Sequence, residues 1–303
     1  MTTDPTDVPD AVLERLRTLM HEASDLKDAA RYYAAILPLV NAADLKAEPA
    51  MLTLEEMQRK MEAGVPLLKG IDLSLDISEA RGLMLRLAAA LENVCGKHNP
   101  EAHNIRKAFE QETLDVAKVL SHAASGRSDN AIAGEGRLNL NADLLLRLAE
   151  NTLKPALRAW QRQLTPLTAG SSWEKGHCFI CGTPPILAEL QDNTQAKHLR
   201  CGQCGADWLF PRLRCAFCGN EDHRSLGVLY SERDREKMRV EFCDNCGGYL
   251  KVIASYSPSP AEMLTVEDLA TLHLDFIAQE HGYIRGGMPL PDIQGKAGDG
   301  KEI

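Results

Sequence analysis

Four Cys-x-x-Cys pairs constrain what this chain can fold into more than any other feature. Eight of its nine cysteines lie between residues 178 and 246. They are Cys178 and Cys181, Cys201 and Cys204, Cys215 and Cys218, and Cys243 and Cys246. Two such turns, here called knuckles 1 to 4 in chain order, complete a tetrahedral S4 site with metal–sulfur distances of about 2.3 Å. The sequence therefore predicts two metal ions per chain.

A glycine follows each knuckle directly. These glycines are Gly182, Gly205, Gly219 and Gly247. Glycine adopts positive φ at little cost, so the backbone can curl and direct its N–H groups at the sulfurs. The knuckles are separated by 19 residues in the first half of the region and by 24 in the second, the longer gap holding the charged turn 231–237. The region therefore reads as an internal duplication of a strand, turn and strand.

The grouping of the knuckles has two solutions. Consecutive knuckles can share a metal, which gives site 1 (Cys178, Cys181, Cys201, Cys204) and site 2 (Cys215, Cys218, Cys243, Cys246). A cross-braced arrangement would pair alternate knuckles instead. We favour the consecutive grouping because it makes two local modules. Disulfides are disfavoured by the regular spacing and by an acidic N-terminus without the features of a secretory signal, so we expect a cytoplasmic chain with reduced thiols.

Length and charge limit the classes of protein. A chain of 303 residues suggests about two domains. Its formal net charge of −9 argues against general binding of nucleic acid. No stretch is long and apolar enough to span a bilayer, and no nucleotide-binding loop or hydrolase motif occurs. Because a saturated S4 site leaves no open position for water, we predict that the protein is not an enzyme.

Helix signals dominate the chain before the cysteines. Apolar residues at helical spacing predict a helix over 10–37. Thr53 and Glu56 form a capping-box pattern, Ser78 is a candidate cap for the next helix, and Asn141 opens a further one that continues toward Leu164. A helix is predicted from Asn99-Pro100 to about His122. After the cysteines, one closing helix is predicted from Thr265 to Gly282, with Leu269, Leu272 and Phe276 on its apolar face.

Several other residues near the cysteines invite a functional interpretation. We interpret Cys95, which has no partner cysteine nearby, as a helix residue rather than a redox nucleophile. His177, His198 and His223 are expected to support the sulfurs by hydrogen bonds rather than to bind metal, because eight thiolates already fill two sites. Aromatic residues crowd the same region, and we expect them to fill a small core rather than to stack on bases. They are Trp173, Phe179, Trp208, Phe217, Phe242 and Tyr249.

The order of these features is similar to one known family. The knuckles, the stretch DWLFPRLRCAFCG at 207–219 and the closing stretch DLATLHLDFIAQEHGY at 268–283 follow a helical region. Together they resemble the formate dehydrogenase accessory protein family, FdhE. The resemblance covers essentially the whole chain, and its most specific part is the join between knuckles 2 and 3, with Trp208, Arg212 and Cys215.

The residue patterns, together with the resemblance, predict a fold and a set of domain boundaries. The fold class is multidomain, α plus small β: an all-helical N-terminal domain, two rubredoxin-like or zinc-ribbon metal modules and a C-terminal helix. The expected boundaries are 1–166 for the helical domain, 167–212 and 213–258 for the two modules, 259–285 for a C-terminal helix packed on the modules or on the helical domain, and 286–303 for a disordered tail.

The resemblance also implies a function. It implies a cytoplasmic accessory protein that is needed for active respiratory formate dehydrogenase, with the catalytic subunit as its partner before twin-arginine export and the twin-arginine leader as a candidate contact. The family's metal ligands correspond to the eight cysteines, and iron is implied. Zinc stays open, because thiolates accept either metal and the knuckles lack the proline of simple rubredoxins. The alternative functions are a one-electron redox role and a nucleic-acid-binding ribbon. A homodimer is a candidate assembly.

Overall fold

A computed structural model of the chain describes residues 8–45, 47, 52–71, 74–95, 100–125, 140–232 and 237–286. Helices come first. They are α1 (Asp10–Glu22), α2 (Lys27–Asn41), α3 (Leu54–Glu62), α4 (Ile77–Cys95), α5 (Pro100–Glu110), α6 (Val116–Ser125) and α7 (Ala142–Leu164). Strands follow, and two helices and a short strand end the described part. They are β1 (Leu187–Gln191), β2 (Ala196–Arg200), β3 (Asp207–Leu209), β4 (Leu226–Leu229), β5 (Met238–Cys243), β6 (Gly248–Ser255), α8 (Ala261–Ala270), α9 (Leu272–Glu280) and β7 (Ile284–Arg285). The predicted fold class is confirmed.

Two of the predicted helix starts are confirmed by their capping contacts, and a third is wrong. The Thr53 hydroxyl accepts a hydrogen bond from the Glu56 N–H, and the Glu56 carboxylate accepts one from the Thr53 N–H. Asn141 accepts from the Leu144 N–H at the start of α7. Helix α4 is capped by Asp76, whose carboxylate accepts from the N–H groups of Ser78 and Glu79. Ser78 therefore lies inside the helix instead of capping it.

Two predicted helices are each interrupted. The helix expected over 10–37 breaks at Ala23, which is extended at φ −125° and ψ 93°. The helix that starts at Pro100 ends at Glu110, and Glu112 at φ 56° turns the chain before α6 begins. Asn99 and residues 126–139 lie outside the described residues. A helical apolar period continues across such breaks, so periodicity does not reveal them.

The closing helix also differs from the prediction. It begins at Ala261, directly after Pro260, and Thr271 divides it into α8 and α9. The buried face of α9 carries Leu274 and Ala278, whereas the Phe276 side chain is 57% exposed. The predicted end at Gly282 agrees with the structure, where this residue has φ 83°. The tail from residue 287 lies outside the described part.

The two cysteine-containing halves share one sheet. Its strand order is β3-β2-β1-β6-β5-β4, and β7 pairs with β6. Each half contributes antiparallel pairs, and the parallel pairing of β1 with β6 joins them, with Ala188 opposite Val252. The domain boundaries given above stay a prediction, but the modules are joined by backbone hydrogen bonds.

The sheet has two differently covered faces. One face packs on α8 and α9, where Val240 and Tyr249 contact Leu274 and Ala278. On the other face, Ala188 and Leu190 of β1 and Leu199 of β2 join a core shared with the helices. This large core includes Trp160 of α7 and also contains the cysteines of knuckles 1 and 2. The helices and the first pair of knuckles therefore fold around common apolar residues.

A matched pair of glycine substitutions tests this packing. Gly82 lies inside α4, where an added Cβ has only the end of Arg86 within 4 Å, at 3.6 Å. Gly82→Ala should therefore raise the free energy of unfolding by about 1 kcal/mol through helix propensity. At Gly176 an added Cβ would lie 1.5 Å from the carbonyl oxygen of Ala216 in knuckle 3. Gly176→Ala should lower the melting temperature. If calorimetry shows that both variants shift the melting temperature in the same direction, this packing is contradicted.

Candidate metal centres

The structure brings the eight cysteines together in two groups of four. Centre 1 holds Cys178, Cys181, Cys201 and Cys204, and centre 2 holds Cys215, Cys218, Cys243 and Cys246. Within each group all four sulfur atoms lie within 4.8 Å of one another. This is the consecutive grouping of the knuckles; the eight thiols are free rather than disulfide-bonded. That these cysteines bind metal stays a prediction.

The distances between the sulfurs suit a tetrahedral metal. In centre 1 the Cys178 and Cys204 sulfurs are 3.4 Å apart, and those of Cys181 and Cys201 are 3.5 Å apart. In centre 2 the Cys215–Cys246 and Cys218–Cys243 separations are both 3.7 Å. Four sulfurs placed 2.3 Å from a central ion are about 3.8 Å from each other. Both groups therefore fit an S4-bound ion with little adjustment.

Each knuckle is closed in a similar way. In knuckle 1 the Gly182 N–H donates to the Cys178 carbonyl at 2.9 Å. The same bond recurs in the other three knuckles at 2.8 to 3.0 Å. The four glycines after the knuckles all have positive φ, between 67° and 83°, which a residue with a Cβ adopts only with strain. The short sequence signal, two cysteines and a glycine, thus determines a local turn that aims both thiols to one side.

Three of the sulfurs in centre 2 accept hydrogen bonds. The Phe217 N–H donates to the Cys215 sulfur at 3.4 Å. The amides of Asn245 and Asn220 lie 3.6 Å from the sulfurs of Cys218 and Cys243. Burial raises the pKa of Cys218, but the hydrogen bonds from Asn245 and from the Asn220 backbone, together with the neighbouring cysteines, lower it to about 7. Such a donor set suits a metal that binds deprotonated sulfur.

Centre 1 is enclosed by the helical part of the chain. The N–H groups of Leu67 and Leu68 donate to the carbonyls of Phe179 and Ile180, at 2.7 and 2.9 Å. Those two residues lie between the cysteines of knuckle 1. On the other side, knuckle 2 meets α8, where a Cβ added at Gly205 would lie 2.6 Å from that of Ala261. Centre 1 is therefore a junction between three parts of the molecule, and Cys178 and Cys201 are completely buried.

Helix α7 places two buried cations near centre 1. The side chains of Lys154 and Arg158 are among the buried residues, and both interact electrostatically with Cys201. Burial lowers the pKa of Lys154 to about 8, and Arg158 acts in the same direction, while Glu150 and Cys201 oppose the shift. Arg158 donates to Asn41 and Glu262 at 2.9 and 2.6 Å. Four thiolates with one bound divalent ion would carry two negative charges, which these cations would partly compensate.

Removing one of these cations should separate metal affinity from stability. We expect Lys154→Met to weaken metal retention at centre 1 by about tenfold, since the groups around a metal centre contribute at this scale. The metal-free protein should become more stable, because the variant no longer buries an ammonium group. Metal release to a chromophoric chelator and denaturant unfolding of the metal-free protein measure the two effects. Lys118→Met, at an exposed position of α6, is the control, and equal retention in both variants would contradict the role of Lys154.

Centre 2 is open on one side. Cys218 is exposed and Cys246 is partly exposed, whereas Cys215 and Cys243 are buried. A Cβ added at Gly219 or Gly247 would have no atom within 4 Å. The duplication has thus produced one enclosed and one accessible four-cysteine group.

The histidines are not part of either group. His198 pairs with Asp207 through Nδ1, His223 is exposed, and the His177 carbonyl accepts a hydrogen bond from the Trp173 indole at 2.8 Å. Among the hydrogen bonds of the described residues, those of the sulfurs involve asparagines, backbone N–H groups, neighbouring cysteines and the Thr183 hydroxyl, which lies 3.3 Å from the Cys181 sulfur, but not histidines. Sequence reasoning missed Asn220 and Asn245, although each lies within two residues of a cysteine. Nothing in the sequence of α7 identifies Lys154 or Arg158.

The aromatic residues near centre 1 pack against each other. The Phe179 ring lies 6.4 Å from both the Trp173 and the Trp208 rings. The Trp208 indole donates to the Lys175 carbonyl at 3.0 Å. All three rings are at most 7% exposed, so they fill the core around the knuckles.

The fold and the two sulfur groups define a class: a helical protein with two four-cysteine modules on a common sheet. Residues 213–290 match the family model "FdhE, C-terminal domain". The chain is 30% identical over 287 residues to "Protein FdhE homolog" of Pseudomonas aeruginosa, covering 90% of this chain and 85% of that relative. It is 34% identical over 116 residues to a second FdhE homolog, from Aquifex aeolicus, which covers 37% of this chain and 40% of that protein.

A solved structure has the same fold. The crystal structure of the FdhE protein from Pseudomonas aeruginosa matches with a TM-score of 0.62 at 24% sequence identity, over 90% of this chain and 92% of that one. The chain belongs to the FdhE family. In the described part, none of the helices has the length and hydrophobicity to cross a membrane.

Proposed function

We propose that this protein is a cytoplasmic accessory factor for respiratory formate dehydrogenase, which binds the catalytic subunit before that subunit is exported. Membership of the FdhE family supports the connection with formate dehydrogenase. The observation that carries the proposal is the pair of four-cysteine groups, which could bind two metal ions in a chain related to this family over most of its length.

A non-catalytic role agrees with the chemistry of these groups. Four thiolates saturate a tetrahedral ion, so such a centre has no position at which water or a substrate can be activated. The work of the centres is then to hold knuckles, sheet and helices in a fixed shape. Bound zinc would supply this structural role alone, whereas iron, the metal implied by the family resemblance, would in addition exchange one electron.

The exposure of centre 2 supports a second candidate function. A rubredoxin-like protein transfers electrons only where a partner can approach its metal, and Cys218 provides such an approach. In that case the protein would change the redox state of the formate dehydrogenase active site instead of only holding the subunit. The two functions differ in whether the bound metal must be iron.

The negative net charge of the chain should raise the rate at which it associates with a subunit that carries a basic leader. The chain carries −9 at pH 7, and a twin-arginine leader is basic. Attraction between them would be weakened by salt, because exposed charges are screened over about 10 Å at 0.1 M ionic strength. A leader-bearing subunit should therefore associate faster than a leaderless one at low salt.

Binding of the purified metal-loaded protein to a formate dehydrogenase catalytic subunit, with and without its leader, tests the proposal. We expect a complex with both forms on size-exclusion chromatography, and a salt-sensitive association rate for the form with a leader. Absence of a complex with either form would contradict the proposed function. Equal rates at all salt concentrations would remove the electrostatic contribution of the leader only.

A further inference from the structure

An uncovered part of the sheet lies beside centre 2. On the face opposite α9, the half formed by β1 and β2 is buried in the core shared with the helices. At the other half a groove of about 170 Å³ opens between strands β4 and β5 and the segment 212–217. Strand β4 is the outermost strand on this side of the sheet. We call this cavity the centre 2 groove; its lining includes Cys215 and Cys243.

The walls of the centre 2 groove are apolar and accessible. Leu226 and Leu250 lie at its base, and Leu213 and Val228 stand at its edges, where they are 69% and 44% exposed. Isolated apolar residues on a surface are ordinary, but a concave group of them at a sheet edge is typical of a binding site. An apolar cavity of about 150 Å³ can hold a molecule the size of benzene, so one large apolar side chain fits here.

The aromatic rings of the groove are already packed. A Cβ added at Gly286 would lie 2.0 Å from the Phe217 ring, and one added at Gly227 would lie 2.1 Å from the Phe242 ring. Phe242 also stacks on Tyr283 with ring centroids 4.3 Å apart. Single-stranded nucleic acid requires free rings on which bases stack. The groove therefore offers pockets for side chains rather than platforms for bases.

The side chains around the groove carry a net positive charge, opposite in sign to the net charge of the whole chain. Its lining has four basic side chains, Lys197, Arg212, Arg214 and Arg239, and one carboxylate, Glu241, although the chain carries −9 overall. Glu241 accepts hydrogen bonds from Lys197 at 2.6 Å and from Arg239 at 2.7 Å, so this carboxylate is already engaged.

Two of the arginines are available to pair with a carboxylate of a partner protein. Arg212 is exposed and forms no ion pair among the described residues. Arg214 pairs with Glu174 and Glu221, whose side chains are 64% and 60% exposed. Exposed pairs of this kind contribute only about 0 to 1 kcal/mol, so an incoming carboxylate can replace them.

We propose that the centre 2 groove binds an acidic segment of a partner protein that inserts one large apolar side chain between Leu213 and Val228. This inference rests on the proposed function, which supplies the partner: the formate dehydrogenase catalytic subunit. The apolar side chain would fill the cavity, and carboxylates on the same segment would pair with Arg212 and Arg214. Because Cys215 and Cys243 line the groove, the bound segment lies directly against centre 2.

Two substitutions at exposed positions test the groove without disturbing the core. Leu213→Asp places a charge at its apolar edge, and Arg212→Glu reverses a charge at its rim. Each should weaken binding of the purified catalytic subunit by about tenfold or more, measured by titration calorimetry, as at the centre of a protein interface. The matched controls are Leu167→Asp and Arg224→Glu, at positions that are also exposed, and they should stay within about twofold of the unsubstituted protein.

The outcomes separate this inference from the proposed function. If the subunit binds the unsubstituted protein and both groove variants with equal affinity, the groove is not its site and the proposed function stands. If the unsubstituted protein does not bind the subunit, the proposed function is wrong and the inference falls with it. Peptides that tile the subunit without its leader add a second criterion: among those whose binding Arg212→Glu weakens, the tightest should be acidic and apolar, and a basic one would overturn the inference.

Binding of RNA or of a second copy of this chain in the groove would also overturn the inference. Binding of a single-stranded RNA oligonucleotide that Arg212→Glu abolishes would make the groove a nucleic-acid site. A dimer in sedimentation equilibrium that Leu213→Asp dissociates would make it a contact between two copies of this chain.

Discussion

Cys201→Ser should release one metal ion per chain and lower the melting temperature by more than about 10 °C, since structural S4 sites contribute folding free energy outright. Apparent binding energies of about 10–16 kcal/mol are typical of structural zinc in small domains. In this protein the effect should spread beyond the knuckles. Cys201 is fully buried in the core that also contains the helices, and the loop at Leu67 is hydrogen-bonded to knuckle 1.

Cys218→Ser is the matched control for that prediction. Cys218 is exposed and is not among the buried residues of the core that encloses centre 1, which its knuckle meets through the partly buried residues Ala216 and Phe217. We expect the same loss of one metal ion but a melting temperature of the main transition close to that of the unsubstituted protein. Metal content by mass spectrometry and differential scanning calorimetry measure both quantities. Equal melting temperatures for the two variants, or retention of both ions in either, would contradict the difference between the centres.

Lys251→Met is expected to destabilise the protein by about 3–5 kcal/mol, because it leaves a buried carboxylate without its main partner. Lys251 on β6 is 1% exposed and lies 2.6 Å from Asp275 of α9 and 2.7 Å from Asp268 of α8. Asp275 is 4% exposed and also accepts a hydrogen bond from Tyr249 at 2.7 Å. This network attaches both closing helices to the sheet.

A double variant distinguishes the cost of an unpaired charge from a general loss of packing. Lys251→Met combined with Asp275→Leu removes both main charges and should recover a large part of the loss, as for other buried ion pairs replaced by apolar residues. Urea unfolding of the single and double variants gives the coupling energy. If the double variant is less stable than Lys251→Met alone, packing rather than the unpaired charge accounts for the effect.

The sequence predicts the parts of this protein that depend on local rules. A Cys-x-x-Cys-Gly turn is determined by residues adjacent in the chain, so the four knuckles and the positive φ of their glycines follow from the pattern alone. The capping contacts of Thr53 and Asn141 are local in the same way. Ser78 is the wrong cap because Asp76, two residues earlier, already starts the helix by accepting hydrogen bonds from the N–H groups of Ser78 and Glu79.

Features that depend on contacts distant in sequence were not predicted. The parallel pairing of β1 with β6 links residues more than 60 positions apart and merges two modules into one sheet. The positions of Lys154 and Arg158 near Cys201 likewise result from the packing of a helix on a knuckle. The prediction of the apolar face of α9 was wrong, because the break at Thr271 rotates the helix that follows and exposes Phe276.

The difference between the centres gives the duplication a physical meaning. Two copies of one motif share their local turns, but among the described residues the cysteines of the first belong to the core shared with the helices, whereas Cys218 of the second is exposed. An enclosed centre can stabilise the junction of the fold, while an accessible centre with a basic, apolar groove can meet a partner. The proposed groove places the contact with formate dehydrogenase at the second copy.

The most direct test of the central claim is anaerobic affinity capture of the tagged full chain from cells that respire formate, with the bound proteins and the metal content measured in the same sample. The account predicts recovery of a formate dehydrogenase catalytic subunit together with about two metal ions per chain, as eight thiolates in S4 sites require. Capture without that subunit, or with nucleic acid in its place, would contradict the account, whichever metal the centres hold.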